Sequence, residues 1–372
     1  MNDRASFLEQ EMLSHNILEG KSLISHTFLQ QSCLYVVISQ YAKAVPNAKN
    51  DNDRYGTGIG HTFVEANIKS LMESYERHIS GKLYIEKECP KWLYDKIRNP
   101  ALVEALNGTA GADIRTNLTA REDVKDKLQK EGLFFSFTPY SPYGLRSADR
   151  INLQNCIAYQ NGEIEVQDES SQLGAVLCDV RENQRIIDYC CGAGGKSLLL
   201  GAILKNKGTI YAHDINTKRL KILPERAKRL GITNIKIKDN LTPQDEFDRF
   251  IIDAPCSGSG TWRRSPDAKY RLTPKQLETI KKTQAEILDI AAGHLSSEGR
   301  IVYMTCSVLP EENEQQIERF LQRHPDYEIV NMKDLWERKL EKIYPSINEN
   351  YLHCSPLLTG TDGFFVCVLQ KK

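Results

Sequence analysis

From about residue 183 the chain repeats one pattern: a short apolar run, a turn, then a segment whose apolar positions return every three or four residues. Short runs bounded by turn residues read as buried strands, and the three-to-four spacing reads as helices with one apolar face. Strands are predicted at 185–190, 209–213, 235–238, 247–252, 300–305 and 363–369. Helices are predicted at 194–204, 218–230, 275–295 and 311–323. Pro224 should kink the second helix or delay its start, because proline has no amide hydrogen to bond the preceding turn. Alternating strands and helices imply an α/β fold whose mostly parallel sheet is covered on both faces.

Upstream the pattern differs. Residues 23–41 repeat apolar positions at helical spacing (Phe28, Cys33, Leu34, Val37, Ile38), as do residues 61–79 (Phe63, Val64, Ile68, Leu71, Met72, Tyr75). The polar, glycine-bearing stretch 46–60 reads as a linker. Residues 90–150 are mixed, with a strand at 114–117, a helix at 120–131 that Thr119 can cap, and a turn into a strand at 131–137. The organisation expected is a short helical region over 1–82, a small α+β subdomain over 83–155, and the α/β domain over 156–372.

Composition narrows the class. The chain has 372 residues, 40% hydrophobic, with 49 basic and 49 acidic side chains. That balance fits a globular protein. Zero net charge excludes a basic nucleic-acid coat but not a basic groove. Apolar runs such as Cys33-Leu-Tyr-Val-Val-Ile38 fall far short of the ~20 residues a membrane span needs. Residues after Met1 show no basic, apolar leader pattern. No two of the ten cysteines stand three apart, so the CxxC metal and redox signature is missing. Reduced cysteines, a cytoplasmic setting, no metal and no membrane are therefore expected.

Candidate chemistry gathers at the carboxyl ends of the predicted strands, where open α/β sheets bind ligands. The first turn reads Asp188-Tyr-Cys-Cys-Gly-Ala-Gly-Gly-Lys196, which is neither GxGxxG nor a P-loop, since Cys190 stands where the P-loop needs glycine. Asp214, after the second strand, can accept both ribose hydroxyls, and Asp239, after the third, can meet adenine; each can equally be a helix cap or loop residue. A glycine turn with two strand-end carboxylates and no pyrophosphate loop suits a nucleoside such as S-adenosylmethionine.

Asp253-Ala-Pro-Cys256 follows the fourth strand and Thr305-Cys306 ends the fifth. Two thiols at that edge suit methylation of a pyrimidine at carbon 5. A thiolate adding to carbon 6 makes carbon 5 nucleophilic, and a base must later remove the carbon 5 proton. Asp253 can pair with N3 and the exocyclic amine of cytosine. Residues 253–275 carry Arg263, Arg264, Lys269, Arg271 and Lys275 against Asp253 and Asp267. The run reads as phosphate contact or as a solvated loop, and Trp262 and Tyr270 as stacking platforms or local packing.

Six strings then carry a family resemblance: Val166-Gln-Asp-Glu-Ser-Ser-Gln172, Asp188 to Lys196 as quoted, Asp253-Ala-Pro-Cys256, Arg263-Arg-Ser-Pro-Asp267, Thr305-Cys-Ser-Val-Leu-Pro-Glu-Glu-Asn313 and Gly360-Thr-Asp-Gly-Phe-Phe365. The chain resembles the bacterial Sun/RsmB-type branch of the RNA cytosine-5 methyltransferase family. The resemblance covers about residues 163–370. It implies a Rossmann-like class I methyltransferase domain with a seven-stranded sheet and S-adenosyl-L-methionine as cofactor. It further implies Cys306 as nucleophile, Cys256 as the group assisting release, and Asp253 and Lys196 as active-site partners. Cofactor contacts are expected from Cys190, Gly192, Ala193, Gly194, Gly195, Lys196, Asp214, Arg219, Asp239 and Asp253. RNA contacts are expected from Arg115 and Asn117, in the family's Arg-x-Asn string, and from Arg263, Arg264 and Lys269. The family's cofactor loop reads Cys-Ala-Ala-Pro-Gly-Gly-Lys, whereas Cys191-Gly-Ala193 precede Gly194 here, which adds backbone freedom. Ribosomal RNA is preferred over transfer RNA as partner, and a monomer is expected. The reading from a different class is a non-catalytic RNA-binding ribosome assembly factor that keeps the fold.

Overall fold

The computed structural model of the chain describes residues 89–149 and 151–372. The helices expected at 23–41 and 61–79, and the linker between them, lie outside the described residues. Residues Cys89–Lys372 form one compact unit built on two sheets.

The smaller sheet contains β1 (Ala112–Thr116), β2 (Ser136–Phe137), β3 (Gly144–Ser147) and β4 (Ile164–Val166), in the order β2-β3-β1-β4, with every pairing antiparallel. Its fourth strand thus comes from beyond residue 155. Ile114, Leu145 and Ile164 pack with Val124 and Leu128 of the helix Arg121–Lys130. Thr119 does not cap that helix: Ala120 occupies the cap position and no side chain bonds the first turn.

The larger sheet contains β5 (Arg185–Asp188), β6 (Thr209–Ala212), β7 (Ile235–Ile237), β8 (Phe247–Asp253), β9 (Leu295–Thr305), β10 (Tyr327–Ile329), β11 (Leu352–Cys354) and β12 (Phe364–Lys371). Seven strands run across it as β10-β12-β9-β8-β5-β6-β7, and the short β11 shares the outer edge of β12 with β10. Strands β5 to β9 pair in parallel, and β12 enters antiparallel to β9. This is the Rossmann-like methyltransferase architecture, with an eighth strand added. Strands β10 and β11 have three residues each, too few for a periodic signal.

Adjacent side chains on a strand point to opposite faces. Ile186 and Val302 therefore join Leu173, Leu199 and Trp336 on one side, while Ile187 and Ile301 join Leu288, Ile317 and Phe320 on the other. Helix boundaries follow local chemistry. The segment 218–230 splits into Thr217–Leu220 and Leu223–Arg229, with Pro224 in a first turn where its missing amide costs nothing. The long helix Pro274–Gly293 starts on a reciprocal capping box between Thr273 and Gln276. The helix expected at 311–323 opens with a 3₁₀ turn, Pro310–Glu312, and continues as Glu314–Arg323.

Candidate active site

A cavity of about 760 Å³ opens at the carboxyl ends of β5, β6, β8 and β9. Tyr189, Cys190 and Cys191 wall one side, Asp214, Ile215 and Asn240 another, and Asp253, Cys256 and Cys306 a third. The turn after β5 needs glycine. Gly192 has φ +57°, and a Cβ there would stand 2.6 Å from Arg219 Nη2. In that conformation the Gly192 amide donates to Asp214 Oδ2 at 2.8 Å, while the Asn216 amide donates to Oδ1 at 2.8 Å. Asp214 is buried, held in place by backbone, and each of its oxygens retains a lone pair for a ligand hydroxyl.

The other expected cofactor residues divide. Cys190 and Arg219 line the cavity, and Arg219 Nη1 reaches within 3.8 Å of Asp214. Ala193, Gly194 and Gly195 shape the turn from behind. The Ala193 carbonyl accepts from Arg226, and left-handed Gly194 caps the helix Gly195–Ile203. Asp239 is exposed and does not line the cavity; its neighbour Asn240, also exposed, does. Burial pushes the thiols of Cys190 and Cys191 up, so neither is a ready thiolate.

Lys196 projects from the first turn of its helix and donates to Asp253 Oδ2 at 2.6 Å. Its ammonium also lies 5.0 Å from the centre of the Phe364 ring. Burial disfavours its charge, yet Asp253 and then Asp188 hold its pKa above the usual value. Asp188 is buried beneath the turn, where burial pushes its carboxyl up to about 7. Ser197 donates to its Oδ2 at 2.6 Å, and no group among the described residues bonds its Oδ1. Asp253 turns about a third of its side chain to the cavity.

Pairing of β8 with β9 sets the two cysteine loops side by side. Cys256 Sγ lies 3.3 Å from Cys306 Sγ, and both thiols are free. The Gly260 amide donates to the Cys306 carbonyl at 2.9 Å. A Cβ at Gly260 would sit 2.1 Å from the Gly363 carbonyl oxygen, so only glycine permits this approach. The hydrogen bond with Cys306, reinforced by burial and by the charges of Cys306 and Glu312, pushes the Cys256 thiol well above its ordinary value. Cys256 is thereby kept protonated beside Cys306.

One residue essential to this geometry carried no sequence signal of its own. Glu312 is fully buried behind the thiols. It accepts from the Ser257 amide at 2.8 Å, from Gln284 Nε2 at 3.1 Å, and from the hydroxyls of Ser257 and Ser307. These serines directly follow the two cysteines. Only the position of Glu312 in the string from Thr305 to Asn313 could have pointed to it.

The residues expected to contact RNA all have partners within the protein. Arg115 and Asn117 are buried in the small sheet. Asn117 Nδ2 donates to the Leu230 carbonyl at 2.6 Å, and Arg115 Nη1 lies 3.5 Å from Asn117 Oδ1. Burial lowers the Arg115 pKa to about 10. Asn117 joins the sheet to the end of the helix Leu223–Arg229, with Arg115 packed behind it, and Glu165 links the two by pairing with Arg226 at 3.2 Å and Arg229 at 2.6 Å. Arg263 pairs with Asp362 at 2.8 Å; Arg264 pairs with Asp362 and, at 2.9 Å, with Asp168. Lys269 is buried against Asn107, with its ammonium 5.7 Å from the Trp262 ring. These cations fasten their own loop, and buried Trp262 packs it. Among the described residues no group of three or more His, Cys, Asp or Glu side chains is placed to hold a metal ion.

Comparison with known proteins places this geometry. The family described as 16S rRNA methyltransferase RsmB/F matches residues 175–370. A probable ribosomal RNA small subunit methyltransferase B of Bacillus subtilis is 37% identical over 221 residues, 58% of this chain and 49% of that protein. Its counterpart in Synechocystis is 31% identical over 347 residues, 90% of this chain and 73% of that protein. The chain thus spans about half the length of the first relative and about three quarters of the second. Among solved structures, NSun6 from Pyrococcus horikoshii, crystallised with SFG, superposes with a TM-score of 0.64 at 21% identity, over 77% of this chain and 96% of that one. A methyltransferase homolog protein from Pyrococcus horikoshii gives 0.63 at 24% identity, over 82% and 98%. At these identities the structural likeness shows the fold.

Proposed function

Because the chain belongs to the 16S rRNA methyltransferase RsmB/F family, we propose that it methylates carbon 5 of a cytosine in ribosomal RNA, using S-adenosyl-L-methionine. The observation that carries the reading is the pair of thiols 3.3 Å apart, in one cavity with Asp253, whose carboxylate Lys196 holds at 2.6 Å. A ribosome assembly factor that merely kept the fold would have no use for that arrangement.

The cavity residues fit the cofactor. Asp214 offers buried carboxylate oxygens to ribose hydroxyls, and Ile215, Ile287 and Ile290 offer apolar surface to a purine. SFG, an analogue of S-adenosylmethionine, accompanies one structural neighbour. When bound, S-adenosylmethionine supplies the electrophilic methyl group that carbon 5 takes.

The chain's own residues do the rest. The Cys306 thiolate adds to carbon 6 of the base, forming a carbon–sulfur bond and shifting the 5,6 electron pair toward carbon 5. Asp253, held by Lys196, accepts from the exocyclic amine, the group that separates cytosine from uracil. Once Cys306 sulfur is bonded to carbon, Cys256 is the free thiol beside the base. Cys256 then gives its own proton to water in the open cavity and acts as the base. Its thiolate takes the carbon 5 proton, the 5,6 double bond re-forms, and Cys306 leaves as thiolate.

The two thiols should therefore fail differently. Cys256→Ala should accumulate an RNA adduct that survives denaturing electrophoresis and maps to Cys306. Cys306→Ala should form neither adduct nor product. An adduct that maps to Cys256 and persists in Cys306→Ala would reverse the roles. Bisulfite sequencing of RNA from cells with and without the gene identifies the substrate.

A further inference from the structure

A second hollow, of about 450 Å³, opens on the other side of Cys256. It is lined by Ser257, Arg271, Leu272, Gln276, Thr279 and Ile280, among others. The helix Pro274–Gly293 walls both hollows: Gln276, Thr279 and Ile280 face the second, and Thr283, Glu286, Ile287 and Ile290 face the first. These positions recur every three or four residues, so they form one helical face. From Gln276 to Ile290 that face is about 21 Å long at 1.5 Å per residue. Cys256 lines both hollows, so they adjoin along this helix face as two ends of a trough, with Cys306 in the first.

Asp214 and Asn240 mark the cofactor end of the trough. A base that reaches the thiols must then trail its backbone toward the opposite end. There the charge is suited to it. Of the cations at 263, 264, 269 and 271, the first three are fastened to Asp362, Asp168 and Asn107, as described above. Arg271 is different. It lies on the surface and, among the described residues, pairs at 3.0 Å with Asp267, itself exposed, an ion pair of the kind worth about 0–1 kcal/mol. A phosphate can take that guanidinium at little cost. Ala268, Leu272 and Ile280 give apolar surface to a ribose or base, and Ser257, Gln276 and Thr279 give hydrogen-bonding groups. A base worked on by an enzyme must leave its stack, so the occupant is single-stranded there.

We propose that this end of the trough holds the nucleotide adjoining the target cytidine, with its phosphate on Arg271. The proposal rests on the RNA-methylating reading above and adds the direction in which the strand leaves the thiols.

Binding of a fluorescein-labelled oligocytidylate to the full chain, followed by anisotropy across a salt series, tests it. Arg271→Gln should weaken binding several-fold and lower the slope of log affinity against log salt by about 0.7, the value for one phosphate of a single strand. Arg271→Lys should restore most of the slope, because it keeps the charge. Gln276→Glu, which sets a negative charge in the same hollow, should weaken binding again. Melting temperatures of the variants should match that of the parent chain. Unchanged affinity and slope in Arg271→Gln would overturn the assignment, as would an equal loss in Lys333→Gln on the separate helix Met332–Leu340. These are binding readouts. Absence of the Cys306 adduct in Cys256→Ala would instead strike the proposed reaction, so the two failures are distinguishable.

Discussion

Glu312 shows how much one buried carboxylate can organise. Cys256 and Cys306 lie on separate loops, joined directly by the Gly260 amide on the Cys306 carbonyl and by Ser259 on Ser307 and on the Val308 amide. The serine after each cysteine donates to the same carboxylate, so Glu312 couples the two loops. Glu312→Gln keeps the size but replaces one acceptor oxygen by a donor. At least one of the donors now satisfied would face an NH₂ group, at a cost of about 1–3 kcal/mol. The larger effect should be kinetic, because a misplacement of about 1 Å can cost roughly a hundredfold in rate. The expected outcome is adduct formation slowed by up to that factor in the Cys256→Ala background, with cofactor affinity unchanged. Adduct formation at the parental rate would show that the loops hold their separation without the clamp.

At the scale of elements, the junction between the two sheets is the feature with consequences. Asn117, at the end of β1, reaches the carbonyls of Leu230 and Gly162, while Glu165 of β4 takes Arg226 and Arg229. The small sheet is thereby fastened to the helix Leu223–Arg229, whose Arg226 also holds the Ala193 carbonyl of the cofactor turn. Asn117→Ala removes both donated bonds and leaves the Leu230 carbonyl with no partner from residue 117. A loss of about 1–3 kcal/mol is expected in denaturant unfolding. Cofactor affinity should fall only slightly, since Asp214 and Gly192 are untouched. A parental unfolding midpoint would mean that the arginine pairs alone carry the junction. Long helices obey local rules more closely. Thr273-Pro-Lys-Gln276 contains both partners of a capping box, and the helix starts where that string says.

Across the whole molecule, the ligand end of the large sheet contains buried charge that a ligand would help to satisfy. Asp214 and Asp253 line the cavity there, and Lys196 pairs with Asp253 from behind. Binding confined to the folded state stabilises it by about 2.7 kcal/mol at a ligand concentration of 100 Kd. S-adenosylmethionine, or its demethylated product, should therefore raise the melting temperature by a few degrees, with NAD and ATP having no such effect. Asp214→Ala should abolish most of the increase. A shift with ATP and none with S-adenosylmethionine would point to a different ligand class.

The sequence by itself determined the alternation of β5 to β9 with helices, because each element is written in the spacing of its own residues. It determined as well that Cys256 and Cys306 end strands, and that a glycine turn and Asp214 lie at the same edge. Local patterns could not show which side chains meet across long stretches of chain. The basic run 263–275 is plain in the sequence, but Asp362 and Asp168 lie 98 and 96 residues from Arg264, so only the fold shows that those arginines are occupied. Arg115 and Asn117 are polar, and their burial depends on Leu230 and Glu165, which belong to other elements. The 3.3 Å between the two thiols depends on β8 lying beside β9 and on Glu312 behind both loops. Backbone periodicity is a local property of the chain, whereas charge pairing and thiol separation are set by contacts between residues far apart in sequence, and only the folded molecule brings them together.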